Sequence, residues 1–326
     1  MKVIKFFAIT AMAAAMITSC SNEDELSQSN YPSDNIIRVT AGVNNAKTRA
    51  EGAGTPLENP LSLTVVNKNV PKYTYVDQEF SKTSGDWACS ETLLWQKSDA
   101  LVDIVAFAPA QQGKFNGVYA NGSIQPIAYS VAKDQTTADD KNDLLYYYAK
   151  DFNPGESLDK GKLNIQFDHA FCMIDINVTL GTEFNKPEVL KESPIVKVTL
   201  GGTKIAANVN VTNAASVVTI SETDAATDIT TTKGSFDKAA DPEANAKSHF
   251  SCIAIPQTVG ANTFKVSLKT AGKLYEWTSD KEITLQSGYR YTLNLTMGDN
   301  VVLLKGGSIT ATPWTEITSD KPLETD

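Results

Sequence analysis

Alternation of apolar and polar residues at period two constrains this chain more than any other feature. In Leu163-Asn-Ile-Gln-Phe-Asp-His-Ala-Phe171 the apolar side chains fall on odd positions, and in Ile174-Asp-Ile-Asn-Val-Thr-Leu180 they fall on even ones. Successive side chains of a strand point to opposite faces, so each run describes a strand with one buried face. The parity changes within one continuous segment. An extra residue must be absorbed there, which predicts a β-bulge or kink near His169–Met173. His169 shares the parity of the first run and is expected to point inward, with a structural role at the kink and an imidazole nitrogen satisfied by a buried polar group.

The same texture fills the chain. Leu61–Val66, Lys72–Val76, Leu101–Phe107, Ile195–Leu200, Val217–Ile220, Phe250–Ile255, Phe264–Leu268, Leu274–Trp277, Tyr289–Leu295 and Val301–Leu304 read as strands. They are rich in Val, Ile, Thr and aromatics, and Gly, Pro, Asn and Asp separate them. Ile37-Arg-Val-Thr-Ala-Gly-Val43 alternates in the same way, with Ile37, Val39 and Val43 facing inward. No long stretch has a period of 3.6, and Asp139–Tyr148 fits a short helix or a strand. The fold class is all-β, and many short strands with frequent turns predict β-sandwiches. A Gly- and Pro-bearing break after Leu180 divides the folded part into an N-terminal sandwich, 36–180, and a C-terminal one, 181–326. Thr223–Lys247 reads as a long polar surface loop.

The N-terminus carries different information. Lys2 and Lys5 precede the apolar run Phe6–Ile17, which is shorter than the roughly 20 residues that a spanning helix needs. Residues 1–19 therefore read as a signal peptide. Thr18-Ser19 before Cys20 resembles a bacterial lipobox, which makes Cys20 the lipidated first residue of a polar linker, 20–35. Glu23-Asp24-Glu25 is similar to the tag that sends some Gram-negative lipoproteins to the outer face of the outer membrane. After the strand 37–43, residues 44–54 form an exposed, Gly-rich loop that holds Lys47 and Arg49 followed by Ala50.

The chemistry classes are narrow. A net charge of −9 over 326 residues excludes nucleic acid as a natural partner. There is no GxSxG, HExxH, P-loop or GxGxxG pattern, so no enzyme is expected and no cofactor. Beyond Cys20, Cys89, Cys172 and Cys252 are too scattered for a disulfide framework, and each reads as a small buried hydrophobe, with one bridged pair left open. Cys172 lies three residues after His169, but core packing is the simpler reading of that pair. Asp134, Asp139, Asp140 and Asp143 lack calcium-loop spacing and read as a solvated loop, so no metal is expected. Trp87, Trp95 and Tyr146-Tyr147-Tyr148 are the candidates for stacking on a sugar. In a strand, Tyr147 would face away from its two neighbours.

Several segments taken in order resemble the fimbrillin superfamily, the Mfa-like lipoproteins of type V pili in Gram-negative anaerobes. They are the lipobox at Ile17–Cys20, Leu94-Trp95 followed by Asp103-Ile-Val-Ala-Phe-Ala-Pro109, Asp143-Leu-Leu-Tyr146 and the Phe-Asp-His ending of Leu163–Phe171. Leu285-Gln-Ser-Gly-Tyr-Arg-Tyr-Thr-Leu293 and Ile309-Thr-Ala-Thr-Pro-Trp314 complete the set. The resemblance implies two consecutive transthyretin-like β-sandwich domains. It also implies export as a lipidated precursor, trimming by an arginine-directed protease at Arg49–Ala50, and polymerisation with other pilus subunits by strand exchange once the strand 37–43 is removed. A monomeric surface lipoprotein that binds a glycan or host protein is the alternative. Pro313 cannot donate a ladder bond, so Ile309–Trp314 should end as an edge strand, with Trp314 locking that end against the C-terminal domain.

Overall fold

The computed structural model describes residues 30–44, 55–185, 188–221, 223–298, 302–304 and 309–314. The chain is nearly all β. Its first sheet has eight strands: β1 (Val39–Val43), β2 (Thr55–Pro56), β3 (Leu61–Asn67), β4 (Tyr75–Thr83), β5 (Asp86–Cys89), β6 (Val102–Ala108), β8 (Leu145–Phe152) and β9 (Leu163–His169). β7 (Ile127–Ser130) leaves this sheet for another. The spatial order is β2-β1-β9-β8-β6-β3-β4-β5. β3 and β6 lie in the middle and are buried along their whole length. That position explains the near-continuous apolar run of β6, as a strand covered on both faces requires; β3 alternates instead, with Leu61, Leu63 and Val65 on one face and the buried hydroxyls of Ser62 and Thr64 on the other.

One face of β6, with Ile104 and Ala106, joins Leu63, Phe80, Trp95, Ile165 and Phe167 in one buried cluster. The other face, with Val105 and Phe107, joins a second and larger cluster. Val39 and Val43 of β1 and Phe80 of β4 share the first cluster although their strands lie toward opposite ends of the sheet. The sheet therefore curls until β1 and β5 approach each other.

The remaining strands are β10 (Cys172–Leu180), β11 (Ile195–Gly201), β12 (Ala206–Val209), β13 (Val218–Ile220), β14 (Ile229–Thr230), β15 (Thr232–Asp237), β16 (Lys247–Ala254), β17 (Lys265–Thr270), β18 (Leu274–Thr278), β19 (Tyr289–Met297), β20 (Val302–Leu304) and β21 (Thr310–Pro313), beside short two-residue ribbons. The central sheet runs β15-β16-β10-β19-β20, and β21 pairs with the first half of β19. A four-stranded sheet, β14-β11-β17-β18, supplies Val198, Leu200, Val266 and Leu268 to the same core as Ile174, Ile176, Val178, Leu293 and Leu295.

Three differences from the sequence reading are informative. The parity change at 169–173 is a change of sheet. β9 ends at His169, two residues cross over, and β10 begins in the central sheet between β16 and β19. A bulge and a crossing leave the same mark in the sequence. The strand placed last in the N-terminal half, before the break at Leu180, thus sits among C-terminal strands. β7 likewise pairs with β12 across that break. Second, the polar hairpin β4–β5 has only Phe80 fully buried, and Lys72 lies in a 3-10 turn (Pro71–Tyr73) rather than in a strand. Third, β14 and β15 lie inside the stretch 223–247 expected as a loop.

Candidate functional site

β1 is held on two sides by different means. Before it, Asp34 accepts from both terminal guanidinium nitrogens of Arg38 at 2.9 and 2.6 Å, and that pairing holds its carboxyl down at about 2. Ile37 N–H donates to the Leu93 carbonyl at 2.9 Å and Trp95 N–H to the Asn35 carbonyl at 2.8 Å. Along β1 itself the partner is β9, parallel and in register from Val39↔Leu163 to Val43↔Phe167. Asn44 closes the pairing: its N–H donates to the Phe167 carbonyl at 2.8 Å and its side-chain amide to Asp168 Oδ1 at 2.8 Å. β2 meets only Gly42 and Val43. Ile37, Val39 and Val43 are 4, 3 and 5 % exposed.

β9 depends on β1 in turn. On its other side it pairs with β8 only at Leu145↔His169 and Tyr146↔Asp168. Among the described residues, Leu163–Phe167 has no other strand neighbour than β1. Cys20, the leader and the acidic run lie outside the described residues, as do Arg49 and Ala50. The chain leaves at Asn44 and returns at Thr55, which pairs with Val43.

The far end of β9 carries a second cluster. His169 is 4 % exposed, and its Nδ1 lies 2.9 Å from an Asp143 carboxylate oxygen. The Trp314 ring lies on the imidazole with centroids 3.9 Å apart and planes 12° from parallel. Trp314 is 6 % exposed, while all four residues of β21 before it are exposed. Its N–H donates to the Gly288 carbonyl at 2.7 Å, and Gly288 N–H donates to the Phe171 carbonyl at 2.9 Å. Gly288 has φ +71°, a conformation that suits glycine. Trp314 was expected against the C-terminal domain; its N–H is held there by Gly288, and its ring also reaches across to the last residue of a first-sheet strand. It also borders a cleft of about 250 Å³ with Asp143 and Met173.

The other candidates are absorbed by packing. Cys172 is buried and donates to the Ala254 carbonyl at 3.2 Å. Burial pushes its thiol well above the usual range, and that of Cys252 too, the reverse of what a nucleophile needs. All three described cysteines are free thiols. Asp139 caps a 3-10 turn, Asp140 accepts from Asn59, Asp143 holds His169 and Asp134 accepts from Thr136. Among the described residues no group of three or more His, Cys, Asp or Glu could hold a metal. Trp95 is buried and stacked with Phe152, and Lys82 covers the Trp87 ring. Tyr146 and Tyr148 pack on the larger core and Tyr147 on the smaller one. Sequence reasoning missed Asn44, Asp168 and Gly288, whose roles are hydrogen bonds between distant segments and leave no local pattern.

The model of the fimbrillin-like family matches residues 40–314, from within β1 to the clasping tryptophan. The chain belongs to the fimbrillin-like family. Solved structures agree on the fold. A proposed cell adhesion protein from Bacteroides ovatus superposes with a TM-score of 0.60 at 18 % identity, over 87 % of this chain and 99 % of that one. A fimbrial protein from Bacteroides vulgatus gives 0.53 at 16 % identity, over 85 % and 99 %. No curated protein matches the chain. Membership makes this fimbrillin-like protein a structural, non-enzymatic pilus or adhesion subunit of the cell surface.

Proposed function

We propose that the protein is a pilus subunit made as an outer-membrane lipoprotein precursor, anchored through Cys20 and activated by removal of β1. An arginine-directed protease cuts Arg49–Ala50. The chain ahead of the cut, β1 included, then has no covalent hold on the rest. The observation that carries this reading is the dependence of β9 on β1: loss of β1 opens five backbone positions of β9, Leu163–Phe167, on that side. The seats of Ile37, Val39 and Val43 become apolar hollows, each worth roughly 1.5–3 kcal/mol to whatever side chain refills it. Such an edge is a template for the strand of another chain. A segment of a neighbouring subunit fills the groove, and head-to-tail repetition yields a filament. The uncut precursor stays monomeric because its own strand occupies the site.

Arg49→Ala tests this. The variant should remain an intact lipidated monomer, while protease-treated wild type forms higher-order species on a sizing column. Equal polymerisation of the two would refute activation at this residue. Cys20→Ala should leave an unlipidated precursor in the soluble fraction, and unchanged membrane partitioning would refute the anchor.

A further inference from the structure

We propose that β9 couples the two ends of the described chain, so that the seating of β1 controls how firmly Trp314 and the C-terminal strand β21 are held. The argument starts from pairing. Among the described residues, β9 has a ladder partner for Leu163–Phe167 only in β1 and for Asp168–His169 only in β8. Asn44 bonds Phe167 and Asp168, the two residues before His169. His169 is the platform for Trp314, and Phe171 holds Gly288, which in turn holds Trp314 N–H. One short run, 167–171, therefore carries the last tie of β1 and two ties of the C-terminal clasp.

β21 has little else to hold it. Its four side chains are exposed, and it pairs with β19 over only Tyr289–Thr292. When β1 leaves, β9 keeps its pairs at Asp168 and His169 alone, with Asp143 on the imidazole, while the five residues leading into that platform lose their strand neighbour. The platform under the indole is then held from one side only, and β21 opens more often. Coupling between sites is reciprocal in free energy, so opening of β21 loosens β1 by the same factor, and weakening the clasp at Trp314 promotes that opening. β10, the middle strand of the central sheet, should not take part, because it is paired on both sides through eight positions each.

The coupling rests on the proposed activation only for the event that removes β1, and the test separates the two. Amide hydrogen exchange is followed on the full chain at 39–44, 172–180 and 310–314. Three forms are compared with wild type: protein cut by an arginine-specific protease and stripped of its N-terminal piece, Asn44→Ala, and Trp314→Phe. In the stripped protein, exchange at 310–314 should rise about 5–150-fold while 172–180 stays unchanged. Asn44→Ala keeps β1 and the fold, and should raise exchange at 310–314 in the same direction by a smaller factor. Trp314→Phe should raise exchange at 39–44. If Arg49 resists the protease, the proposed activation fails, and the two variants still decide the coupling. Unchanged protection at 310–314 in Asn44→Ala together with unchanged protection at 39–44 in Trp314→Phe would overturn it. So would unchanged protection at 310–314 in a stripped protein whose mass proves that β1 is gone.

Discussion

β9 and β10 follow one another in the chain, separated by Ala170 and Phe171, and their inward side chains are equally buried. Leu163, Ile165 and Phe167 on β9 and Ile174, Ile176 and Val178 on β10 are all at 0 % exposure. Their backbones could hardly differ more. β10 is laddered to β16 and to β19 through eight positions each. β9 has five partners on one side and two on the other, at different heights. Burial alone would rank the strands as equals; the ladders make one the spine of a sheet and the other a strand that can lose its neighbour. Under the proposed activation, the working part of a structural protein sits where side chains are well packed and backbone pairing is thin.

The largest effect that would sharpen this contrast comes from the clasp. Trp314→Ala removes a buried indole and should cost about 3–5 kcal/mol. A urea midpoint that does not move would mean that the ring contributes no packing. Next come Ile165→Ala and Ile176→Ala, each expected to cost about 2–5 kcal/mol because both leave a core cavity. The strands should differ in how that loss is distributed. Ile176→Ala should lower protection throughout the central sheet, and Ile165→Ala mainly at β1 and β9. Identical exchange maps for the two variants would break the comparison.

His169→Gln should cost about 1–3 kcal/mol, because Asp143 loses its partner and Trp314 its platform. A thermal melt reads this, and no bound ion should disappear with the ring. Smallest is Asn44→Ala, an exposed hydrogen bond worth about 0.5–1.5 kcal/mol. Its loss should be detected near β9 and the C-terminal strand, with the global transition almost unmoved.

Much of the fold was legible as pattern. β3, β6, β9, β10, β11 and β19 announce themselves because one or both faces are buried and the sequence must show it. The hairpin β4–β5 did not, since only Phe80 among its inward residues is fully covered and polar side chains satisfy the rest. β8 was ambiguous because Leu-Leu-Tyr-Tyr-Tyr suits either period; its pairing with β6 decides it. The inward placement of His169 was legible from parity, and the burial of Trp314 from its size at the end of an edge strand. That the two rings meet, 145 residues apart in the chain, was not legible. Nor was the crossing at Ala170–Phe171, because long-range pairing decides which sheet a strand joins and period-two alternation is silent about it.

The parallel alignment of β1 on β9 also has a mechanical consequence. A pull on the chain ahead of Asn30, directed along the axis of β1, slides that strand lengthwise past β9. The ladder bonds run across the strands, so all of them from Val39 to Asn44 bear the load together and none can be peeled first. A pull at right angles, applied from the loop after Asn44, meets the Asn44 bonds to Gln166, Phe167 and Asp168 first and then each rung in turn. The same strand is thus stiff toward a pull along its axis and yielding toward one across it.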